Sequence, residues 1–98
     1  MRINEKLTDL IRGRTIELVS KELGLVTIMF NDRSKLQIST TQAPDVNVLG
    51  ENRIESVGEE NGRLVLFAED ERTAVYTLLS PGSSVTVISQ DGKVEFEG

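Results

Sequence analysis

Carboxylates are the residues of this sequence with the most potential for chemistry. The chain contains 16 aspartates and glutamates, but no histidine and no cysteine. It therefore lacks the commonest general base, the commonest metal ligand, a thiolate nucleophile and disulfide bonds. Any catalysis or metal binding would depend on carboxylates that the fold brings together.

The acidic residues cluster at turns that the sequence places far apart. Glu59 and Glu60 precede one predicted turn, whereas Glu69 and Asp70 occupy the next. These turns lie at opposite ends of one predicted strand, so the two clusters are roughly 20 Å apart, too far for one acid/base pair. A carboxylate-based enzyme would need at least three of the following residues in one cleft: Glu22, Asp32, Glu59, Glu60, Glu69 and Asp70.

Other functional motifs are missing from the sequence. It contains no calcium-binding loop, no phosphate-binding Gly-rich loop and no Gly-x-Ser-x-Gly elbow. The net charge of −5 opposes nucleic-acid binding, and the basic Arg12-Gly13-Arg14 cluster is interpreted as a solvated corner. We expect a protein that is not an enzyme, with no catalytic residue, no cofactor and no metal site.

Composition indicates a small globular domain. The 98 residues suit one domain, and 38% of them are hydrophobic. There is no visible signal peptide, and no apolar stretch is long enough to cross a bilayer. We therefore predict a soluble cytoplasmic protein.

Turn signals and alternating apolar residues predict a mostly-β, antiparallel fold. Asn61-Gly62 and Asp91-Gly92 are each typical of a two-residue hairpin turn. A short helix near 4–11, capped by Asn4, precedes the strands. Such short strands would form either a small barrel or a two-sheet sandwich. Strands are predicted near 15–22, 25–31, 35–41, 45–49, 53–60, 63–69, 73–79, 84–89 and 93–97.

An internal repeat organises the predicted strands. Residues 15–40 align without gaps on residues 53–78, and Ile16-Glu17-x-Val19 then matches Ile54-Glu55-x-Val57. A shared pattern of strands and turns at one offset favours a duplication of a unit of about 38 residues. The domain would comprise a helical segment at 1–14, a first repeat at 15–50 and a second repeat at 51–98.

The repeated Ile-Glu-x-Val motif leaves two interpretations open. Its two aliphatic residues are three positions apart, so strict alternation would put them on opposite faces of the sheet. Either a β-bulge restores both to one face, or Val19 and Val57 face the other side.

The alternation also predicts which side chains form the core. These are Ile16, Val26, Ile28, Phe30, Leu36, Ile38, Ile54, Leu64, Leu66, Tyr76, Leu78, Val85, Val87, Val94 and Phe96. A second apolar set has the opposite parity: Leu25, Met29, Val65, Phe67, Val75 and Leu79.

The second apolar set suggests an interface, because contiguous exposed apolar area is rare on monomers. The apolar stripe of the helix could cover part of it, and the remaining residues could face a partner: Met29, Val65, Phe67, Val75 and Leu79. The leading hypothesis is a non-catalytic protein–protein interaction module whose partner is another protein or, in a homodimer, a second copy. The alternatives are a small-ligand-binding β-barrel and, less favoured, a carboxylate-based enzyme.

Overall fold

A computed structural model of the chain describes residues 2–22, 24–41, 53–68 and 73–98. The predicted strand at 45–49 and the acidic pair Glu69-Asp70 lie outside the described residues. In chain order the elements are β1 (Arg2–Ile3), α1 (Glu5–Ile11), β2 (Ile16–Glu22), β3 (Leu25–Phe30), β4 (Lys35–Ser39), β5 (Ile54–Glu60), β6 (Arg63–Ala68), β7 (Thr73–Thr77), β8 (Val85–Ile88) and β9 (Val94–Glu97).

Two antiparallel sheets confirm the mostly-β prediction. One sheet has the order β1-β5-β6-β7, and the other has the order β2-β3-β4-β8-β9. The two-residue strand β1 was not predicted, because so short a segment carries no alternation to read.

The sheets are joined at two corners. Single antiparallel bridges link Thr15 to Arg53 and Thr40 to Leu78. Strands β2, β3, β4, β7, β6 and β5 therefore form a nearly closed ring, while β8, β9 and β1 extend it. The fold thus combines features of both predicted architectures, a partly closed barrel and a two-sheet sandwich.

The two three-stranded units follow the same plan. The bounds of β5–β7 repeat those of β2–β4 at a constant offset of 38 residues. The units also bond to each other reciprocally: the Thr41 amide donates to the Thr77 carbonyl at 3.2 Å, and the Leu79 amide donates to the Ser39 carbonyl at 3.0 Å. These equivalences agree with the predicted duplication, which itself stays a prediction.

A β-bulge sits at the same place in each unit. The pairing register shifts between Ile16 and Leu18 in β2, and between Ile54 and Ser56 in β5. Glu17 and Glu55 are the extra residues, so the motif's aliphatic side chains all point toward the core. Of the two interpretations of the motif, the bulge is the observed one.

The helix α1 is fixed to β5 by polar contacts. Asn4 caps it by accepting a hydrogen bond from the Leu7 amide at 3.0 Å, as predicted. The Thr8 hydroxyl accepts from the Val57 amide at 2.9 Å and donates to the Val57 carbonyl at 3.3 Å. One interpretation of the sequence was that the apolar stripe of the helix covers part of the second apolar set, but Leu7 and Ile11 are instead buried in the main core.

The core consists almost entirely of aliphatic side chains from both sheets and the helix. Thirteen of the fifteen predicted core residues are buried, and Phe96 is half-buried against them. Val94 was wrongly placed in the core, because it is 50% exposed. A register shift in the β8–β9 pair puts Val94 opposite Ile88 and leaves Glu95 as the extra residue, which turns Val94 to the outer face.

The two predicted hairpin turns differ in length. Asn61 and Gly62 both have positive φ, at 50° and 75°, as a two-residue turn requires. At the other turn the Ser89 amide donates to the Lys93 carbonyl at 2.7 Å, and Gly92 has a φ of 90°. Three residues therefore lie between Ser89 and Lys93, and the two-residue prediction for Asp91-Gly92 was wrong.

Candidate interaction surface

The described carboxylates do not gather in one cleft. Asp32 lies in the β3–β4 turn, Glu22 at the end of β2, and Glu59 and Glu60 at the end of β5. In the described ranges, no three acidic side chains are close enough to hold a metal ion.

A cluster of charged and polar side chains surrounds Arg14. Its guanidinium donates to the Ser34 hydroxyl at 2.9 Å and pairs with Glu95 at 3.5 Å and Asp32 at 3.7 Å. The same group lies 6.0 Å from the centre of the Phe30 ring. The cluster ties the start of β2, the β3–β4 turn and β9 together, and sequence could not show it because its members are distant along the chain.

The surroundings of Asp32 change its acidity. Burial raises its pKa, but the hydroxyl and amide of Ser34 donate hydrogen bonds to the carboxylate, and the Arg14 guanidinium attracts it. The bonds and the cation outweigh burial, so the pKa of Asp32 lies below its usual value. The cluster is thus a structural ion-pair network between neighbouring turns.

The basic cluster predicted from the sequence is engaged within the chain. Arg14 belongs to the ion-pair network, and the Arg12 Nε donates to the Glu55 carbonyl at 3.0 Å. Arg12 is otherwise exposed, and Arg12-Gly13-Arg14 forms the corner between α1 and β2.

The predicted interface residues do not form one surface. Val65 and Val75 lie opposite each other on the outer face of the four-stranded sheet, with Phe67 two residues from Val65 on the same face. Met29 lies on the outer face of the other sheet. Leu79 follows β7 and is 61% exposed.

The two faces also differ in how open they are. Val65 is only 9% exposed, whereas Phe67 and Val75 are half-buried. Met29 is half-buried too, but its partner on β2, Leu18, is 56% exposed. Leu18 and Val94, at 56% and 50%, are the exposed large apolar side chains on the strands of the five-stranded sheet, whereas Ile3 on β1 of the other sheet is 45% exposed.

An apolar row crosses all five strands of that sheet. The registers pair each of its members with the next, in the order Leu18, Met29, Lys35, Ile88 and Val94. With strands about 4.8 Å apart, the row is about 19 Å long. The sequence did not predict Leu18 and Val94 as members of this outer row, because the bulges at Glu17 and Glu95 determine which face of the sheet these side chains point to.

Lys35 stands at the centre of the apolar row. Its side chain is half-buried between those of Met29 and Ile88. Within the described ranges, no carboxylate forms an ion pair with its ammonium. The face therefore presents one unpaired positive charge flanked on each side by two apolar residues.

The neighbouring row on the same face is polar but carries little charge. It consists of Ser20, Thr27, Gln37, Thr86 and Glu97. Depletion of charge near apolar side chains is the composition that distinguishes the centre of a protein interface. We define the two rows together as the binding face.

Depressions bounded by described residues lie on the surface. One of about 440 Å³ is lined by Arg2, Lys6 and Glu59, and another of about 450 Å³ opens beside Glu97 and Thr86. The first mixes charges of both signs, and the second touches the binding face. Core side chains that are at most 4% exposed fill the space between the sheets.

Comparison with known proteins finds no relative of this chain: no family model matches it, and no curated protein and no solved structure is significantly similar to it. Among the described residues, no helix is long and apolar enough to cross a membrane.

Proposed function

We propose that the protein is a non-catalytic binding module that holds a partner protein on its binding face. The observation that carries this proposal is the apolar row of Leu18, Met29, Ile88 and Val94 around Lys35. Its outermost members, Leu18 and Val94, are 56% and 50% exposed. Burying apolar side chains of this size against a partner would lower the free energy of the system.

Charge defines the chemistry of the partner. An unpaired ammonium within an apolar row favours an apolar surface with one carboxylate at its centre. A second copy fits less well, since packing the row on its own two-fold image would bring Lys35 toward the Lys35 of that copy. The net charge of −5 on each chain adds to this repulsion.

Site-specific photo-crosslinking in the native cells tests the proposal. A photoreactive residue is placed at Ile88 in the binding face and, as the control, at Thr77, which is half-buried on the outer face of the other sheet. We expect the Ile88 probe to crosslink a protein and the Thr77 probe to crosslink none. The crosslink should disappear in Lys35→Glu and persist in Lys93→Glu, which makes the same charge change at the exposed β8–β9 turn.

Equal crosslinking from both faces, or no effect of Lys35→Glu, would contradict the proposal. If the crosslinked protein is the chain itself, the partner is a second copy, and the homodimer replaces the heterologous complex. Circular dichroism of each variant confirms that a lost crosslink does not result from unfolding.

A further inference from the structure

Two hairpin turns contain an Asx–Gly pair, and the two Asx side chains are held differently. The carboxamide of Asn61 makes no hydrogen bond with the described residues, and Asn61 is exposed. Asp91, by contrast, accepts hydrogen bonds from the Ser89 hydroxyl and, at 3.2 Å, from the Lys93 amide. One side chain is free to rotate and the other is fixed.

We propose that Asn61-Gly62 is a site of spontaneous covalent modification through a cyclic imide. The backbone nitrogen of Gly62 loses its proton and attacks Cγ of Asn61. The bond from Cγ to the carboxamide nitrogen breaks, and that nitrogen leaves as ammonia after taking up a proton. Water then opens the five-membered ring at one of its two carbonyls, which leaves either aspartate or isoaspartate at position 61.

The local structure favours this reaction at Asn61. Asparagine is among the thermally labile residues, and Gly62 has no side chain to block its nitrogen. The amide of Gly62 has no acceptor among the described residues, and the carbonyl of Gly62, which belongs to the following peptide group, accepts from the Leu78 amide at 3.0 Å. A hairpin tip opens at little cost in free energy, so the rotation about ψ of Asn61 that brings the Gly62 nitrogen to Cγ of Asn61 is accessible.

The same chemistry is restrained at Asp91-Gly92. Its carboxylate is a poorer electrophile than a carboxamide, and its two hydrogen bonds hold it against the turn. The structure therefore separates two pairs that look alike in the sequence into a reactive one and a protected one.

Modification of Asn61 would change the hairpin. A new carboxylate would stand next to Glu60, and isoaspartate would lengthen the backbone by one carbon within a turn that has room for two residues. The β5–β6 register and the bond from Leu78 to Gly62 would both be strained, so the modified chain should unfold more easily.

Peptide mapping by mass spectrometry tests the inference. The intact protein is incubated at mildly alkaline pH and 37 °C, beside a sample unfolded in urea. We expect the Asn61 peptide of the folded protein to convert at a rate within about tenfold of the unfolded sample, and the Asp91 peptide to convert about tenfold more slowly than the Asn61 peptide. Asn61→Gly keeps the turn without the carboxamide and should abolish the conversion, whereas Ser89→Ala should accelerate it at Asp91.

Two results would overturn the inference. One is an Asn61 peptide that stays intact in the folded protein while the unfolded sample converts completely. The other is a folded protein in which Asp91 converts as fast as Asn61.

Discussion

Tyr76 places a phenolic hydroxyl in an aliphatic core. The residue is 1% exposed, and its hydroxyl has no hydrogen-bond partner in the part of the chain that the structure describes. Burial disfavours the phenolate and raises the pKa of Tyr76 to about 12. An unsatisfied buried hydroxyl costs about 1–3 kcal/mol of stability. The ring of Tyr76 therefore contributes to core packing, whereas its unpaired hydroxyl lowers the stability of the fold.

Tyr76→Phe should therefore stabilise the fold by about 1 kcal/mol or more at pH 8, because the ring remains and the unpaired hydroxyl is removed. The raised pKa adds a pH dependence. Below about pH 10 the phenol is neutral in both the folded and the unfolded chain, whereas between about pH 10 and 12 only the unfolded chain ionises, which lowers the stability of the natural chain by up to about 1.4 kcal/mol per unit of pKa shift. The advantage of the variant should thus grow from pH 8 to pH 11 in urea unfolding. A variant less stable than the natural chain at pH 8 would show that the hydroxyl is bonded.

The hydroxyl of Thr8 is a second polar group whose contribution to stability can be tested. Its hydroxyl satisfies the Val57 amide, whereas the Val57 carbonyl also accepts from the Asn4 amide at 2.9 Å. Thr8→Val keeps the shape but leaves a buried N–H unpaired, which should cost about 1–3 kcal/mol. Thr8→Ser keeps the hydroxyl and loses one methyl group. In hydrogen exchange, the Val57 amide should lose protection in Thr8→Val and retain it in Thr8→Ser. Equal loss in both variants would show that the hydrogen bond to the Thr8 hydroxyl does not protect this amide.

Within the strands, bulges decide which side chains enter the core. Sequence alternation found the strands, and the repeated Ile-Glu-x-Val motif raised the bulge as one of two options. The segment around Glu95 has no repeated motif that would indicate an extra residue, so Val94 was assigned to the wrong face of the sheet. Bulges and glutamates on the outer strands β2 and β9 also discourage pairing with other chains.

Matched substitutions of two valines test which side chains the bulges direct into the core. Val57→Ala removes methyl groups from a fully buried position and should cost about 2–3 kcal/mol in urea unfolding. Val94→Ala makes the same change on the outer face and should cost less than about 0.5 kcal/mol. Similar losses in both variants would contradict the register described for β9.

For the protein as a whole, the sequence could predict the fold class but not the arrangement of side chains on the surface. Alternation, caps and turns are local signals, and they located α1 and eight of the described strands. The pairing of β4 with β8, the corner bridges and the apolar row depend on contacts between distant segments. For the same reason, the residues predicted to form one interface lie on two different surfaces. Met29 and Val65 have the same parity in the sequence, but they belong to different sheets.

The constant offset between the two units gives this protein an internal reference. The strands β2, β3 and β4 have counterparts 38 residues later in β5, β6 and β7, which pair in the same order, but α1 and β1 contact β5 whereas β8 pairs with β4. Val19 is half-buried and its counterpart Val57 is fully buried beside the helix. Comparing the same substitution at Val19 and Val57 therefore measures what α1 and β1, the additional neighbours of β5, contribute to stability, without recourse to another protein.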